Sequence, residues 1–167
     1  MPAVPTLSAG VYHGGVRVEA FLADAVQALG GKLSALGIGW STLSAPRFPA
    51  RHDRVALGIV LRILPEEAEG QHHLSIRLLG PNGATRPLGR RPDGTELAEL
   101  DAPFAVQATD VEATATFALN FDGLVFEEPG GYAFVLAVDG QERERLTFRV
   151  QTPPAPAPVE YHVGGYL

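Results

Sequence analysis

The side chains of this sequence with chemical potential are five histidines, nineteen carboxylates and a few serines, and their spacing limits what they can do. His72 and His73 are neighbours in a run that alternates like a strand, so their rings point to opposite faces and cannot share one ion. His13, His52 and His162 stand far from them and from one another, and no pair has the two-residue strand spacing or four-residue helix spacing of metal ligands. No metal site and no cofactor are expected. The absence of cysteine removes thiolate ligands, disulfides and cysteine nucleophiles.

The clustered carboxylates are Glu66, Glu67 and Glu69, then Glu127 and Glu128, then Glu142 and Glu144. A glycosidase needs two carboxyl groups about 5–10 Å apart across a cleft, one of them shielded from water. The first group lies in a Pro-Glu-Glu-Ala-Glu-Gly turn and the second precedes Pro129-Gly130, where solvated acids are expected. The turn acids also lack the spaced Asp/Asn and Gly pattern of a calcium loop. Ser8, Ser34, Ser41, Ser44 and Ser75 include no Gly-x-Ser-x-Gly elbow. Gly37 and Gly39 form a Gly-x-Gly without the third glycine or crossover helix of a dinucleotide site. No catalytic residue is therefore assigned, and an enzyme ranks third among the readings.

These residues have to be positioned by strands, because period-two alternation dominates the chain. Val55, Leu57, Ile59, Leu61 and Ile63 form one apolar face, as do His72, Leu74, Ile76 and Leu78. The acidic loop between the two runs predicts an antiparallel hairpin. Ala113, Ala115, Phe117, Leu119 and Phe121 alternate with Glu112, Thr114, Thr116 and Asn120. Tyr132, Phe134, Leu136 and Val138 lead to Asp139-Gly140, a two-residue hairpin signal because both positions favour positive φ. The returning strand puts Leu146, Phe148 and Val150 on the buried face and Arg143, Arg145, Thr147 and Arg149 on the other. Arg17–Asp24 and Lys32–Trp40 read as strands around Gly30-Gly31. Glycines break the helical spacing of Phe21–Leu36; Asp93–Leu100 has room for one helical turn, and Gly80–Pro103 reads as a long loop or irregular edge. The expectation is an all-β, immunoglobulin-like antiparallel sandwich of two sheets and about seven to eight strands.

Length and composition agree with a single packed domain: 167 residues, 46% apolar and 19% charged. The net charge of −6 and the scattered arginines disfavour nucleic acid as a partner. No run of about 18 apolar residues predicts a membrane span. Met1–Gly15 lacks a basic and then apolar signal pattern, so a cytoplasmic location is expected.

The predicted organisation is an N-terminal arm over 1–15, a β-sandwich over 16–151, a Pro/Ala-rich linker over 152–158 and an apolar, aromatic tail over 159–167. Tyr161, Val163, Tyr166 and Leu167 make that tail a candidate partner-binding segment. Val11-Tyr12-His13-Gly14-Gly15 echoes Tyr161-His162-Val163-Gly164-Gly165 at the other end. Trp40, the only tryptophan, is expected in the core; the alternative is a ring exposed to stack on a sugar or other small ligand.

Phe21-Leu22-Ala23-Asp24-Ala25-Val26-Gln27 followed by Gly31-Lys32-Leu33-Ser34-Ala35-Leu36-Gly37 resembles the opening of a bacterial family of small proteins known only as a domain of unknown function. Pro129-Gly130-Gly131-Tyr132-x-Phe134 with Val138-Asp139-Gly140 is similar to that family's closing hairpin. The resemblance spans roughly residues 16–150. It implies a β-sandwich and no known activity. The expected role is a non-enzymatic protein-interaction or assembly module, binding a second copy or another protein through a sheet edge and terminal arms. The alternative is a small-ligand or carbohydrate-binding sandwich using Trp40 and loop tyrosines.

Overall fold

The alternation becomes eleven strands in the computed structural model, which describes residues 15–158. They are β1 (Arg17–Ala23), β2 (Ala25–Leu29), β3 (Lys32–Leu36), β4 (Thr42–Ser44), β5 (Ala50–Ile63), β6 (His72–Leu79), β7 (Thr85–Arg86), β8 (Glu99–Phe104), β9 (Ala113–Phe126), β10 (Gly130–Val138) and β11 (Gln141–Gln151). Among the described residues there is no α-helix, only a single 3-10 turn at Pro65–Glu67. No helix there is long and apolar enough to cross a membrane. The strand number exceeds the seven or eight expected because β4 and β7 have too few residues to show a period, while β8 alternates over six residues but carries Asp101, Ala102 and Pro103, which are depleted in strands.

β1, β5 and β9 form an antiparallel three-stranded sheet with β5 in the middle. A six-stranded mixed sheet runs β4, β11, β10, β6, with both β7 and β8 on the far side of β6. β4 pairs with β11 in parallel and the other pairings are antiparallel. Side chains from both sheets share one hydrophobic cluster: Val55, Leu57, Ile59 and Leu61 from the first, Leu74, Ile76, Phe134 and Leu136 from the second. Each of these is fully buried, a contribution of roughly 1.5–3 kcal/mol apiece.

The hairpin expected between Val55–Ile63 and His72–Leu78 does not form. β5 pairs with β1 and β9, whereas β6 pairs with β10, β7 and β8. The acidic segment after Ile63 crosses between the sheets, with Glu67 N–H donating to the Leu64 carbonyl at 2.9 Å. Two strands with one strongly apolar face each gain more by facing each other across a core than by lying side by side.

The Gly30-Gly31 turn also joins different partners than expected. Lys32–Leu36 pairs with Ala25–Leu29, while Arg17–Ala23 is committed to β5. β3 stops at Leu36 rather than reaching Trp40, since Gly37 and Gly39 turn the chain with φ of 65° and 99°. The β2–β3 hairpin lies over the outer face of the three-stranded sheet, where Val26 packs with Ala23 and Ala56. Asn120 fastens it: its Nδ2 donates to the Val26 carbonyl at 2.9 Å and its Oδ1 accepts the Val26 N–H at 3.1 Å.

Gly80–Pro103, expected as a long loop or irregular edge, is an irregular edge: it contains β7, most of β8 and an isolated bridge between Arg90 and Glu96. Asp93 caps no helix; its Oδ1 accepts the Thr95 N–H at 2.9 Å, tightening a turn.

The β10–β11 hairpin forms as predicted, with Asp139 and Gly140 at φ of 50° and 79° and Val138 opposite Gln141. Leu136, Val138 and Phe148 are buried, but Leu146 is only half-buried. β4 flanks β11 over Arg149–Gln151 alone, so the strand near Leu146 has an open side. A bulge breaks the ladder: Leu136 faces Glu144, Ala137 faces Glu142, and Arg143 has no partner between them. Arg143 thus does not join Arg145 and Arg149; its guanidinium lies against Gly15 and donates to Gln141 Oε1 at 2.9 Å.

Candidate functional site

Among the described residues, His72, His73 and Asp139 meet at the β10–β11 turn. Asp139 Oδ2 accepts from His72 Nδ1 at 2.8 Å, and its Oδ1 accepts the His73 backbone N–H at 2.9 Å. Burial pushes the Asp139 carboxyl up, but the His72 and His73 hydrogen bonds and nearby charge outweigh it and hold the group below the usual carboxylate range. An ionised carboxylate only accepts, so Nδ1 of His72 carries the proton. His72 Nε2 is enclosed without a partner, and the ring stacks on Phe104 with centroids 5.4 Å apart. The His73 ring lies on the other face, 3.3 Å from Asp101 Oδ2. The cluster therefore clamps the hairpin turn to the start of β6. Among the described residues, no three His, Asp or Glu side chains are placed to hold a metal ion together.

Trp40 packs on the main core edge-on to Phe148, with centroids 5.8 Å apart, and is half-buried. Its Nε1 is enclosed with no acceptor. Of the tyrosines only Tyr132 is described, and it is buried. Its hydroxyl donates to the Glu128 carbonyl at 2.7 Å, tying the start of β10 to the chain four residues earlier. Burial pushes its phenol above the ordinary value. Tyr132→Phe is expected to cost about 1 kcal/mol, the net worth of a hydrogen bond, in urea unfolding. A change indistinguishable from zero would show that the corner holds without it.

The sheet edges differ sharply from one another. Exposed edges invite pairing with another chain, and proteins blunt them with charge, proline or shortness. β1 carries Arg17 and Glu19; β8 carries Glu99, Asp101 and Pro103; β4 and β7 are three and two residues long. β3 carries Lys32, and the β2 backbone at Val26 is already bound by Asn120. β9 is different. It is fourteen residues long, pairs on one side only, and has no charged residue from Ala113 to Phe121.

The face predicted for β9 points at the core, yet Ala113, Ala115, Phe117 and Leu119 are only partly buried. Their outer sides are open because β9 ends its sheet, and Val111 just before it is 69% exposed. Phe117 meets Phe104 of β8 edge-on, with centroids 5.6 Å apart, closing the space between the two sheets. Sequence reasoning saw the alternation but missed the edge. The signal was the uncharged stretch bounded by Glu112 and Asp122.

Two hollows remain. One, of about 360 Å³, is lined by Leu43, Phe126 and Val150 together with Arg47, Arg51 and His52. A broader one, of about 590 Å³, lies between Pro81, Ala133, Thr147 and Arg149. Tyr161, Val163, Tyr166 and Leu167, together with His13, His162 and nearly all of the N-terminal arm, lie outside the described residues.

Residues 19–151 match the model of DUF6941, described as a family of unknown function. No curated protein matches the chain.

Proposed function

The chain belongs to the DUF6941 family, and we propose that it is a non-enzymatic protein-interaction or assembly module whose docking element is the open edge of β9. In this reading the three-stranded and six-stranded sheets are the two layers of an immunoglobulin-like sandwich, with β2–β3 appended to one outer face. The observation that supports it is the contrast among edges: charge, proline or shortness blunts β1, β4, β7 and β8, while Ala113–Phe121 has none of these. An extended segment added there gains main-chain hydrogen bonds and covers Phe117 and Leu119.

A photo-crosslinking residue replacing Thr116 in the full-length chain tests this. It is expected to join a protein partner, a second copy or another chain, several-fold more efficiently than the same residue at Arg17 on β1. In that same chain, Thr114→Lys places a charge on the edge beside the probe and should abolish the product. Thr114 is exposed, so stability should stay within about 0.5 kcal/mol. Equal yields at Thr116 and Arg17 would overturn the reading.

A further inference from the structure

The core-facing side chains of β9 grade from small to large along the strand: Ala113 and Ala115 first, then Phe117, Leu119 and Phe121. The outward row grades too, with the hydroxyls of Thr114 and Thr116 ahead of Ala118 and Asn120. Side chains directly opposite on neighbouring strands touch. A strand that fits this edge therefore sets large core-side residues beside the two alanines and small ones beside Phe117 and Leu119. β9 itself, run antiparallel, is such a strand. Run parallel, it would crowd ring against ring and leave gaps between the alanines.

Charge permits the same meeting. A net charge of −6 opposes self-association, but no charged residue lies between Glu112 and Asp122. Those two carboxylates are already paired with β5, Glu112 with Arg62 at 3.7 Å and Asp122 with Arg54. The backbone is open as well. Among the described residues β9 pairs with β5 alone, and the β2–β3 hairpin is fastened through the Asn120 side chain instead of the β9 main chain.

We infer that β9 pairs antiparallel with β9 of a second copy, about a two-fold axis that passes between the strands at Thr116–Ala118. The two three-stranded sheets then become one of six strands. A two-fold contact needs a surface that is its own complement, and the graded rows of β9 meet that condition. This rests on the β9 reading proposed above and deepens it by naming the partner.

The test is sedimentation equilibrium with cysteine cross-linking on full-length chains, which have no cysteine of their own. The parent should be dimeric when concentrated and dissociate on dilution. Opposite residues of an antiparallel pair have Cα atoms about 4.5–5.5 Å apart, within the roughly 4.4–6.8 Å that a disulfide spans. Thr116→Cys or Ala118→Cys, each alone, should therefore form a linked dimer under mild oxidation at least tenfold faster than Thr114→Cys. The two copies of residue 114 stand four or more residues out of step, about 13 Å or further along the strands. Urea midpoints of the reduced variants equal to the parent's would show that each is folded. Independently of any cysteine, a photo-crosslinking residue at Thr116 should give a product of twice the chain mass, joined within β9 of the second copy. A parent monomeric at every concentration overturns the inference. So does a dimer in which neither Thr116→Cys nor Ala118→Cys links faster than Thr114→Cys. The Thr116 probe separates the partner from the edge: a monomeric chain that captures a different protein rejects the second copy and keeps the edge. Capture no better than at Arg17 rejects both.

Discussion

Phe148→Ala is expected to lower the unfolding free energy by about 3–5 kcal/mol, the range for large aromatic truncations in a core. The ring is 4% exposed and meets four others: Phe134 and Tyr132 stacked, with centroids 5.7 and 5.8 Å away, and Trp40 and Phe126 edge-on, at 5.8 and 5.9 Å. Aromatic pairs add about 0.5–1.5 kcal/mol each beyond the area they bury, so the upper half of the range is the better expectation. β11 and β10 hold Phe148, Tyr132 and Phe134 from a paired backbone, with Phe148 opposite Tyr132, and so the cavity left behind has little freedom to collapse. Urea unfolding should show a shifted midpoint with an unchanged slope. A loss below about 1 kcal/mol, far under the core range, would mean that Trp40 swings into the space.

The identity of that core was legible because alternation reports which residues share a face, and the Asp139-Gly140 turn pins the register. Leu136, Val138 and Phe148 are buried as the pattern required. Pairing beyond the β10–β11 hairpin was not legible. The faces of Val55–Ile63 and His72–Leu78 were read correctly, but alternation is the same whether two strands are neighbours in one sheet or face each other across a core. The crossing of the segment after Ile63 is decided by the partners that β5 finds in β1 and β9, far away in sequence. The bulge at Arg143 has the same character, since one extra residue changes no local composition yet moves a guanidinium from the solvent face to a place beside Gly15.

Edge status depends on pairing as well, which explains why the β9 surface escaped a reading of faces. An uncharged Ala113–Phe121 is equally suited to a central strand, and only the sheet order shows that one of its sides is open. The histidine reading shows the opposite case. Adjacent residues on a strand must diverge whatever their partners, and His72 is buried while the His73 ring lies exposed beside Asp101.

Gly58→Ala tests the seat of the β2–β3 hairpin, and here two effects of opposite sign compete. Replacing a strand glycine by alanine ordinarily gains roughly 0.5–1 kcal/mol of backbone entropy. Gly58, however, lies opposite Phe21 across the β1–β5 ladder, and the ring rests on its Cα. A methyl group there would come within 2.6 Å of Cε1 and Cε2, and nearer still to Cζ, so the ring must leave. Phe21 packs against the small cluster of Ala23, Val26 and Ala56 on which the hairpin lies, with Leu33 and Ala35 around it. Overpacking of this kind costs about 1–3 kcal/mol, so the clash wins and a net loss of about 1–2 kcal/mol is expected. Amide hydrogens of β2 and β3 should exchange faster, while those at the centre of β10 change only by the global loss. Combining Gly58→Ala with Phe21→Ala removes the obstacle and should be no less stable than Phe21→Ala alone, giving a coupling of at least ~1 kcal/mol in a double-mutant cycle. If Gly58→Ala alone matches or exceeds the parent in stability, the ring has room to move and the glycine is not what lets it lie flat on the sheet.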